Sequence, residues 1–221
     1  MTQIPQAFAH IDTWIFDLDN TLYPANTDFF SQIDRKMTAF ISQYLDLQPT
    51  DAKALQKKYL SEYGTSLSGL IHVHDMDPAE FLHDVHDVDM SMLKPDPNLQ
   101  STIQALPGRK YIFTNGSRGH AKRVAGHLGL WPLFDGSFAI EDADYVPKPK
   151  SASFTTFCDR FTIDPYSAIF FEDSLRNLEV PKQMGMTTVW VQPDTSEAKA
   201  TETPWVDYVT QDLAGWLATC S

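Results

Sequence analysis

Short apolar runs alternate with segments of helical periodicity along the second part of the chain, and this alternation limits the possible fold more than any other feature. Strand-like runs lie at 110–114, 136–140, 168–171, 187–191 and 208–209. Helices are predicted at 99–106, 120–130, 151–161, 175–184 and 213–217. Such alternation predicts a doubly wound parallel α/β sheet, with right-handed crossovers and helices on both faces. An earlier apolar run at 13–17 supplies a further strand of the same sheet.

A block without strand-like alternation separates that first strand from the rest of the sheet. In residues 29–45 apolar side chains recur at spacings of three and four, which predicts an amphipathic helix. Thr50 or Asp51 can cap a second helix that ends at Gly64, and Asp77 followed by proline is typical of another helix start. The pattern indicates an all-helical cap domain inserted into an α/β core. The predicted boundaries are 25–93 for the cap domain, and 1–24 with 94–221 for the core domain.

Two pairs of acidic residues follow apolar strands. Asp17 and Asp19 end the first strand, and because positions i and i+2 of an extended chain point to one side, both carboxylates can share a small volume. Glu172 and Asp173 end the strand at 168–171. An Asx-rich turn or a helix N-cap would explain one acid at either place, but not a pair after two buried strands. Open α/β sheets bind ligands at the carboxyl edge of their strands, so the sequence predicts an oxygen-only site there that suits Mg²⁺.

A hydroxyl group and a lysine follow two other strands. Thr114 and Asn115 come where the strand at 110–114 ends, ahead of a helix, and such a turn offers hydroxyl and N–H groups to an anion. An ordinary helix cap is the alternative. Lys148 lies between two prolines and would supply the cation that the acidic site needs, whereas the alternative is a solvated surface lysine. Lys150 is a competitor for that role.

These four segments, in this order, resemble the motifs of the haloacid dehalogenase-like superfamily, and FDLDNTLYP resembles its phosphatase branch. The resemblance implies a Rossmann-like doubly wound parallel sheet core with an inserted all-helical cap domain. It also implies a Mg²⁺-dependent phosphomonoester hydrolase, in which Asp17 is the nucleophile that forms an aspartyl-phosphate and Asp19 is the general acid and base. Haloacid dehalogenases of this superfamily have no acid at the position of Asp19, so this residue argues against dehalogenation.

The same resemblance assigns roles to the remaining residues of the four segments. The residues implied to bind the phosphoryl group are Thr114, Asn115 and Lys148. Mg²⁺ would be held by the carboxylates of Asp17 and Asp173 and by the main-chain carbonyl of Asp19. Glu172 would hold a metal-bound water or Lys148.

Longer stretches in both predicted domains are similar to the bacterial and yeast pyrimidine 5′-nucleotidase-like phosphatases, among them EYGTSLSGL and PGRKYIFTNGSRGHA. This subgroup implies hydrolysis of nucleoside 5′-monophosphates, preferentially UMP and CMP. Tyr23, Tyr63 and Thr65 are candidates for lining the base or ribose pocket, and packing between cap and core is the equal alternative for them. Two other interpretations stay open. One is a phosphatase or phosphomutase acting on sugar phosphates or phosphoglycolate, and the other is a non-catalytic binding protein on the same fold.

The net charge of −12 argues against nucleic acid polymers and anionic membranes as partners and leaves a small phosphorylated molecule, such as a nucleoside monophosphate. We expect neither a signal peptide nor a membrane span, because no basic start and no stretch of about 20 apolar residues is present. Two cysteines without metal-ligand spacing fit a cytoplasmic protein. Four histidines lie near aspartates in the predicted cap domain: His72, His74, His83 and His86. An acidic helix surface dotted with histidines is the favoured interpretation of this segment, and a transition-metal site is the weaker alternative.

Overall fold

The computed structural model describes residues 6–193 and 203–220. The strands are β1 (Thr13–Phe16), β2 (Arg109–Phe113), β3 (Gly136–Phe138), β4 (Ala168–Glu172), β5 (Thr187–Val191) and β6 (Tyr208–Thr210). They form one parallel sheet in the order β3-β2-β1-β4-β5-β6. From β1 the chain moves outward through β2 and β3, and it then resumes on the other side of β1 with β4. This order confirms the predicted doubly wound sheet.

β1 lies at the centre of the sheet, and all of its residues are buried. Successive side chains point to opposite faces, so Phe16 and Ile15 belong to different layers of the core. Phe16 stacks on Phe171 with ring centroids 4.6 Å apart, whereas Ile15 packs in the cluster that contains Phe170. The register places Phe16 opposite Ile112 of β2 and Phe171 of β4. The residues that follow these three strands therefore come to one edge of the sheet.

Among residues 6–193 and 203–220, five helices flank the sheet, and their bounds differ in places from the predicted ones. They are α5 (Pro97–Ala105), α6 (Arg118–His127), α7 (Ser151–Phe161), α8 (Glu179–Met184) and α9 (Leu213–Ala218). The predicted single helix at 175–184 is wrong, because a 3-10 turn at Leu175–Asn177 precedes α8. Pro181 has no N–H group to donate and fits only in the first turn of a helix, so α8 begins just before it.

The strand predicted at 136–140 is also too long. β3 ends at Phe138, and a 3-10 helix follows at Ile140–Ala143. The N–H group of Ile140 donates to the carbonyl of Gly116 and not to a neighbouring strand, and Asp142 accepts the N–H group of Ala139 at 2.9 Å. These two hydrogen bonds turn the chain away from the sheet.

Four helices in residues 29–85, after β1 in the chain, pack on one another. They are α1 (Phe29–Tyr44), α2 (Pro49–Tyr63), α3 (Ser66–His74) and α4 (Pro78–Val85). No strand lies between residues 25 and 93, as predicted, but the sequence did not indicate α3, and α2 begins before the proposed caps, with Pro49 at its first position. The domain boundaries themselves stay a prediction. Within the described part of the chain, no helix combines the length and the apolar character needed to cross a membrane.

Candidate active site

The predicted site residues meet at the carboxyl edge of the sheet. Asp17 and Asp19 follow β1, Thr114 follows β2, and Glu172 and Asp173 end and follow β4. Together with Lys148 they line a single cavity of about 280 Å³. The sequence placed these side chains at neighbouring strand ends, and the parallel register brings them together.

Lys148 is almost completely buried at the floor of this cavity, with 1% of its surface exposed. Its Nζ atom donates hydrogen bonds to Oδ1 of Asp17 at 2.7 Å, to Oε2 of Glu172 at 2.7 Å and to the carbonyl of Phe113 at 2.8 Å. Burial alone would lower the pKa of Lys148, but the two carboxylates outweigh burial and raise the pKa above its usual value. Lys148 is therefore a permanent positive charge at this point.

Asn115 fixes the loop that carries Lys148. Its side-chain amide donates to the carbonyl of Lys148 at 3.1 Å, and its side-chain oxygen accepts the N–H group of Lys148 at 2.8 Å. Both ends of this side chain are thus occupied by main-chain groups of Lys148. The Asn115 side chain therefore has a structural role, holding the loop of Lys148, which the sequence did not indicate. Its contact with phosphate stays a prediction.

Three carboxylates crowd around the lysine. Asp17, Glu172 and Asp173 each offer an oxygen atom, and these atoms lie within 4.8 Å of one another. Burial, followed by the charge of Glu172, raises the pKa of Asp17 to about 7 although Lys148 opposes the shift. Burial, Glu172 and Asp17 raise the pKa of Asp173 well above its usual value. Three acids facing one lysine leave a deficit of positive charge, and an all-oxygen donor set fits a hard divalent cation.

Asp19 has a different environment, although it lies only two residues from Asp17. Its Oδ1 atom accepts hydrogen bonds from the hydroxyl group of Tyr23 at 2.6 Å and from Nε2 of His120 at 2.8 Å. Burial raises the pKa of Asp19, but His120 and Tyr23 outweigh it, so that the net pKa lies below the usual value. Opposite pKa shifts on two neighbouring acids are typical of sites in which the two carboxyl groups have separate chemical roles.

His120 and His86 are site residues that the sequence reading did not assign. The ring of His120 stacks on the rings of Phe29 and His86, with centroid distances of 6.1 Å and 4.2 Å. Burial lowers the pKa of His86 to about 3, and its Nδ1 atom lies 3.0 Å from both the carbonyl of Leu82 and Oγ of Ser117. A signal for His120 existed, because this polar residue precedes the buried Ala121 on the apolar face of α6.

The turn after β2 has the form expected of an anion-binding loop. Oγ1 of Thr114 accepts the N–H group of Gly116 at 2.8 Å, and Ser117 caps α6 by accepting the N–H group of His120. A β-carbon on Gly116 would lie 3.2 Å from Oγ1 of Thr114 and 3.5 Å from Oδ2 of Asp19. This close approach favours glycine, and it shows that Oδ2 of Asp19 faces the loop.

The three residues suggested for substrate binding have different surroundings. Thr65 lines the cavity and caps α3, where its Oγ1 atom accepts the N–H group of Ser68 at 3.1 Å. Tyr23 directs its hydroxyl group to Asp19. Tyr63 packs edge-on against Tyr59 and against the ring of His72, and it is not among the residues that line the cavity. The geometry therefore favours the packing alternative for Tyr63, whereas substrate binding by all three stays a prediction.

The side chains that the wall formed by α1–α4 contributes to the cavity are largely apolar. The apolar ones are Phe30, Ile33, Met37, Leu60, Leu67, Phe81, Leu82 and Val85. Arg176, which follows β4, ties this wall to the sheet by donating to the carbonyls of Leu60 and Gly64. A bound molecule would thus meet both charged groups and an apolar surface.

The four histidines between residues 72 and 86 are not brought together in a group of three or more potential metal ligands. His74 Nε2 lies 2.7 Å from the hydroxyl group of Tyr59, and His86 faces His120 and Ser117. Within residues 6–193 and 203–220, the single group of three potential ligands is the carboxylate cluster of Asp17, Glu172 and Asp173. The transition-metal alternative has no support in this geometry.

Comparison with known proteins agrees with this arrangement. A family model described as haloacid dehalogenase-like hydrolase matches residues 11–185, which is most of the chain. The chain belongs to the haloacid dehalogenase-like hydrolase family. The match spans all four segments that carried the resemblance in the sequence, from the first acidic pair to the second.

Two curated relatives of this chain have names that refer to phosphate or to a phosphate ester. The chain is 28% identical over 190 residues to phosphate metabolism protein 8 of Saccharomyces cerevisiae, covering 78% of this chain and 59% of the yeast protein. It is 24% identical over 205 residues to the glyceraldehyde 3-phosphate phosphatase of Methanothermobacter thermautotrophicus, covering 83% of this chain and 87% of that enzyme. The chain thus spans little more than half the length of the yeast relative.

Solved structures with the same fold include both phosphatases and dehalogenases. A predicted phosphoglycolate phosphatase from Haemophilus somnus has a TM-score of 0.66 at 16% identity, covering 96% of this chain and 99% of that one. YfnB from Bacillus subtilis, assigned as a HAD-hydrolase and bound to magnesium, has a TM-score of 0.63 at 18% identity, with coverage of 96% and 99%. The L-2-haloacid dehalogenase of Xanthobacter autotrophicus has a TM-score of 0.59 at 14% identity, with coverage of 94% and 97%. The haloacid dehalogenase-like fold is therefore shared by this chain and these proteins. The fold alone does not distinguish phosphate ester hydrolysis from dehalogenation.

Proposed function

We propose that this haloacid dehalogenase-like hydrolase is a Mg²⁺-dependent phosphatase that cleaves phosphomonoesters through an aspartyl-phosphate on Asp17. The observation that supports this reaction best is the second acid, Asp19, which lies two residues from Asp17, is partly buried and is held by two hydrogen-bond donors. An alkoxide leaving group needs a proton, and displacement of a halide does not. A positioned acid at this place therefore favours ester cleavage over dehalogenation.

The proposed reaction has two steps. In the first step, a carboxylate oxygen of Asp17 attacks phosphorus, the bond from phosphorus to the ester oxygen breaks, and the carboxyl group of Asp19 protonates the departing alkoxide. In the second step, water attacks the same phosphorus, Asp19 takes the proton of that water, and the bond to Asp17 breaks to release inorganic phosphate. The charge of a bound phosphate ester raises the pKa of Asp19 relative to the free protein, which favours the protonated form at the first step.

Lys148, Thr114 and the turn after β2 would hold the transferring group. The Lys148 ammonium lies 2.7 Å from the nucleophilic Asp17, so it can offset charge on both the carboxylate and the phosphoryl oxygens. The hydroxyl proton of Thr114 is available to a phosphoryl oxygen, because Oγ1 accepts and does not donate in its bond with Gly116. These donors are in place before substrate arrives, which is the condition for electrostatic stabilisation of a phosphoryl transition state.

The carboxylates of Asp17 and Asp173 and the main-chain carbonyl of Asp19 are the proposed Mg²⁺ ligands. Glu172 is tied to Lys148 through Oε2 and to the N–H group of Ser174 through Oε1, so it acts through these neighbours. When bound, Mg²⁺ supplies positive charge that lets a phosphate dianion approach the carboxylates. The deficit of positive charge at the cluster and the magnesium-bound structural neighbour support this choice of cation.

For the substrate, we propose a pyrimidine nucleoside 5′-monophosphate, UMP or CMP. The cavity supports an organic group with an apolar face, because apolar side chains of α1–α4 line it and Thr65 adds a hydroxyl group there. A small sugar or triose phosphate is the second candidate, and it is favoured by the relative that is named as a glyceraldehyde 3-phosphate phosphatase and matches over most of its length.

Phosphate release from a panel of esters tests this proposal. The panel contains UMP, CMP, AMP, GMP, glyceraldehyde 3-phosphate, phosphoglycolate and p-nitrophenyl phosphate, each with Mg²⁺ and with EDTA. We expect Mg²⁺-dependent release that is fastest with UMP and CMP. Asp17→Asn should abolish release, whereas Asp12→Asn, a change at the opposite end of β1, should keep it. Release that is indifferent to EDTA or to Asp17→Asn would refute the reaction, and preference for the triose phosphate would move the second candidate to first place.

A further inference from the structure

The hydrogen bonds of Asp19 are arranged asymmetrically on its two oxygen atoms. Tyr23 and His120 both contact Oδ1, at 2.6 Å and 2.8 Å. Because an ionised carboxylate can only accept, Nε2 of His120 carries the proton that it donates. Oδ1 thus has two donors, and Oδ2 faces the phosphate loop, where a β-carbon on Gly116 would lie 3.5 Å from it.

The ring of His120 is buried and held by its neighbours. It is 2% exposed and packs nearly parallel to the rings of Phe29, at an interplanar angle of 8°, and His86, at 20°. Both of these rings belong to the helical segment 25–93, whereas His120 belongs to α6 beside the sheet. Its main-chain N–H group is also held, by Oγ of Ser117 at 3.2 Å. The helical segment and α6 together fix the direction in which Nε2 points.

We propose that His120 is a positioning residue for the general acid and base. Packed against the rings of Phe29 and His86, it acts with Tyr23 to hold Oδ1 of Asp19, and it thereby directs Oδ2 at the ester oxygen on the phosphate loop. The inference rests on the proposed phosphatase reaction and adds the group that orients its acid. Because both of these rings come from the helical segment, the acid is correctly oriented only when that segment is packed against α6.

A leaving-group comparison separates this role from a purely structural one. Phenol has a pKa of about 10, like tyrosine, so phenolate leaves slowly unless it is protonated. p-Nitrophenolate delocalises its negative charge onto the nitro group and leaves without a proton. A misdirected acid therefore slows cleavage of phenyl phosphate selectively, whereas a damaged cavity slows both esters alike. The constant kcat/KM reports the first chemical step, in which the leaving group departs.

The test compares three variants of the full chain with wild type, in Mg²⁺, on phenyl phosphate and p-nitrophenyl phosphate. His120→Phe keeps a ring against Phe29 and His86 but removes the donor. His120→Gln keeps an N–H donor at a similar reach. Lys122→Met, at an exposed position of the same helix, is the matched control, and it should resemble wild type. Thermal unfolding of each variant shows whether it is folded.

We expect His120→Phe to lower kcat/KM on phenyl phosphate by at least about 10-fold, since general acid catalysis contributes about 100-fold or more, and to change kcat/KM on p-nitrophenyl phosphate less than about threefold. On the latter ester kcat should still fall and a burst of p-nitrophenol should appear, because Asp19 also activates water in the second step. His120→Gln should recover most of the loss.

Equal losses of kcat/KM on both esters, no loss on either, or a His120→Gln variant as poor as His120→Phe would overturn the assignment of His120 while leaving the phosphatase reaction intact. Wild-type protein that releases phosphate from neither ester, with Mg²⁺ present, would overturn the proposed reaction and this inference with it.

Discussion

Lys148→Met tests whether the buried lysine neutralises the acidic cluster. Methionine has a similar length and volume, so the change removes the charge and three hydrogen bonds, of 2.7, 2.7 and 2.8 Å, with little change in packing. Removing one partner of a buried ion pair costs about 3–5 kcal/mol, because the remaining charge stays buried and unpaired. We expect a loss of about 4 kcal/mol in the free energy of unfolding at pH 9 in the absence of metal.

The loss should depend on pH in a direction that follows from the pKa of Asp17. Its folded-state pKa, about 7, lies above the unfolded value of 3.8, so stability falls as the pH rises between these two values. In the wild type this fall ends near pH 7. Without Lys148 the pKa rises further and the fall continues, by about 1.4 kcal/mol for each pH unit. The penalty at pH 6 should therefore be only about 1 kcal/mol.

Urea unfolding in EDTA, followed by the fluorescence of the five tryptophans, measures both values. Lys150→Met is the matched control, because Lys150 is exposed in the same loop, and it should change stability by less than about 0.5 kcal/mol at either pH. A Lys148→Met penalty that is equal at pH 6 and pH 9, or larger at pH 6, would refute the electrostatic reasoning.

Three further predictions concern acid stability, helix packing and the metal. His86 has a folded-state pKa of about 3 and an unfolded one near 6.5, so stability is lost as the pH falls below 6.5. His86→Phe should remove about 3 kcal/mol of this loss at pH 4. The measurement is the drop in unfolding free energy between pH 7 and pH 4, which should be smaller in the variant. Gly69→Ala would place a β-carbon 2.3 Å from Cγ of Tyr59 and should destabilise the protein by about 2 kcal/mol. The control is Gly126→Ala, which has no atom within 4 Å of the new β-carbon and should be neutral or stabilising. Equal effects of the two changes in thermal unfolding would contradict the α2–α3 contact. Mg²⁺ should raise the melting temperature more at pH 9 than at pH 6, because it competes with protons for the carboxylates, and Asp173→Asn should reduce this shift.

Local patterns in the sequence were sufficient to predict the sheet and the edge at which a site would form. Apolar runs that end in acids or in Thr114 predicted strands whose carboxyl ends meet, because parallel strands in this topology all present that end to one side. The same patterns failed at 175–184, where a 3-10 turn precedes α8 and Pro181 fits only in the first turn of that helix. They also missed α3, which is too short to show a clear period and depends on its cap at Thr65.

The sequence alone thus predicted the chemical groups of the site, since Asp17, Asp19 and Asp173 follow apolar strands, and Lys148 stands between two prolines. Each of these segments can be recognised separately. Only the tertiary structure decided how these groups differ. Asp17 and Asp19 are two residues apart, yet burial with Glu172 raises one pKa, and His120 with Tyr23 lowers the other. His120 is 101 positions away from Asp19 and is held by rings from a third part of the chain, so no local pattern could reveal the contact. Burial and long-range hydrogen bonds exist only in the packed molecule, which is why the opposite pKa shifts of the two acids appear there and not in the sequence.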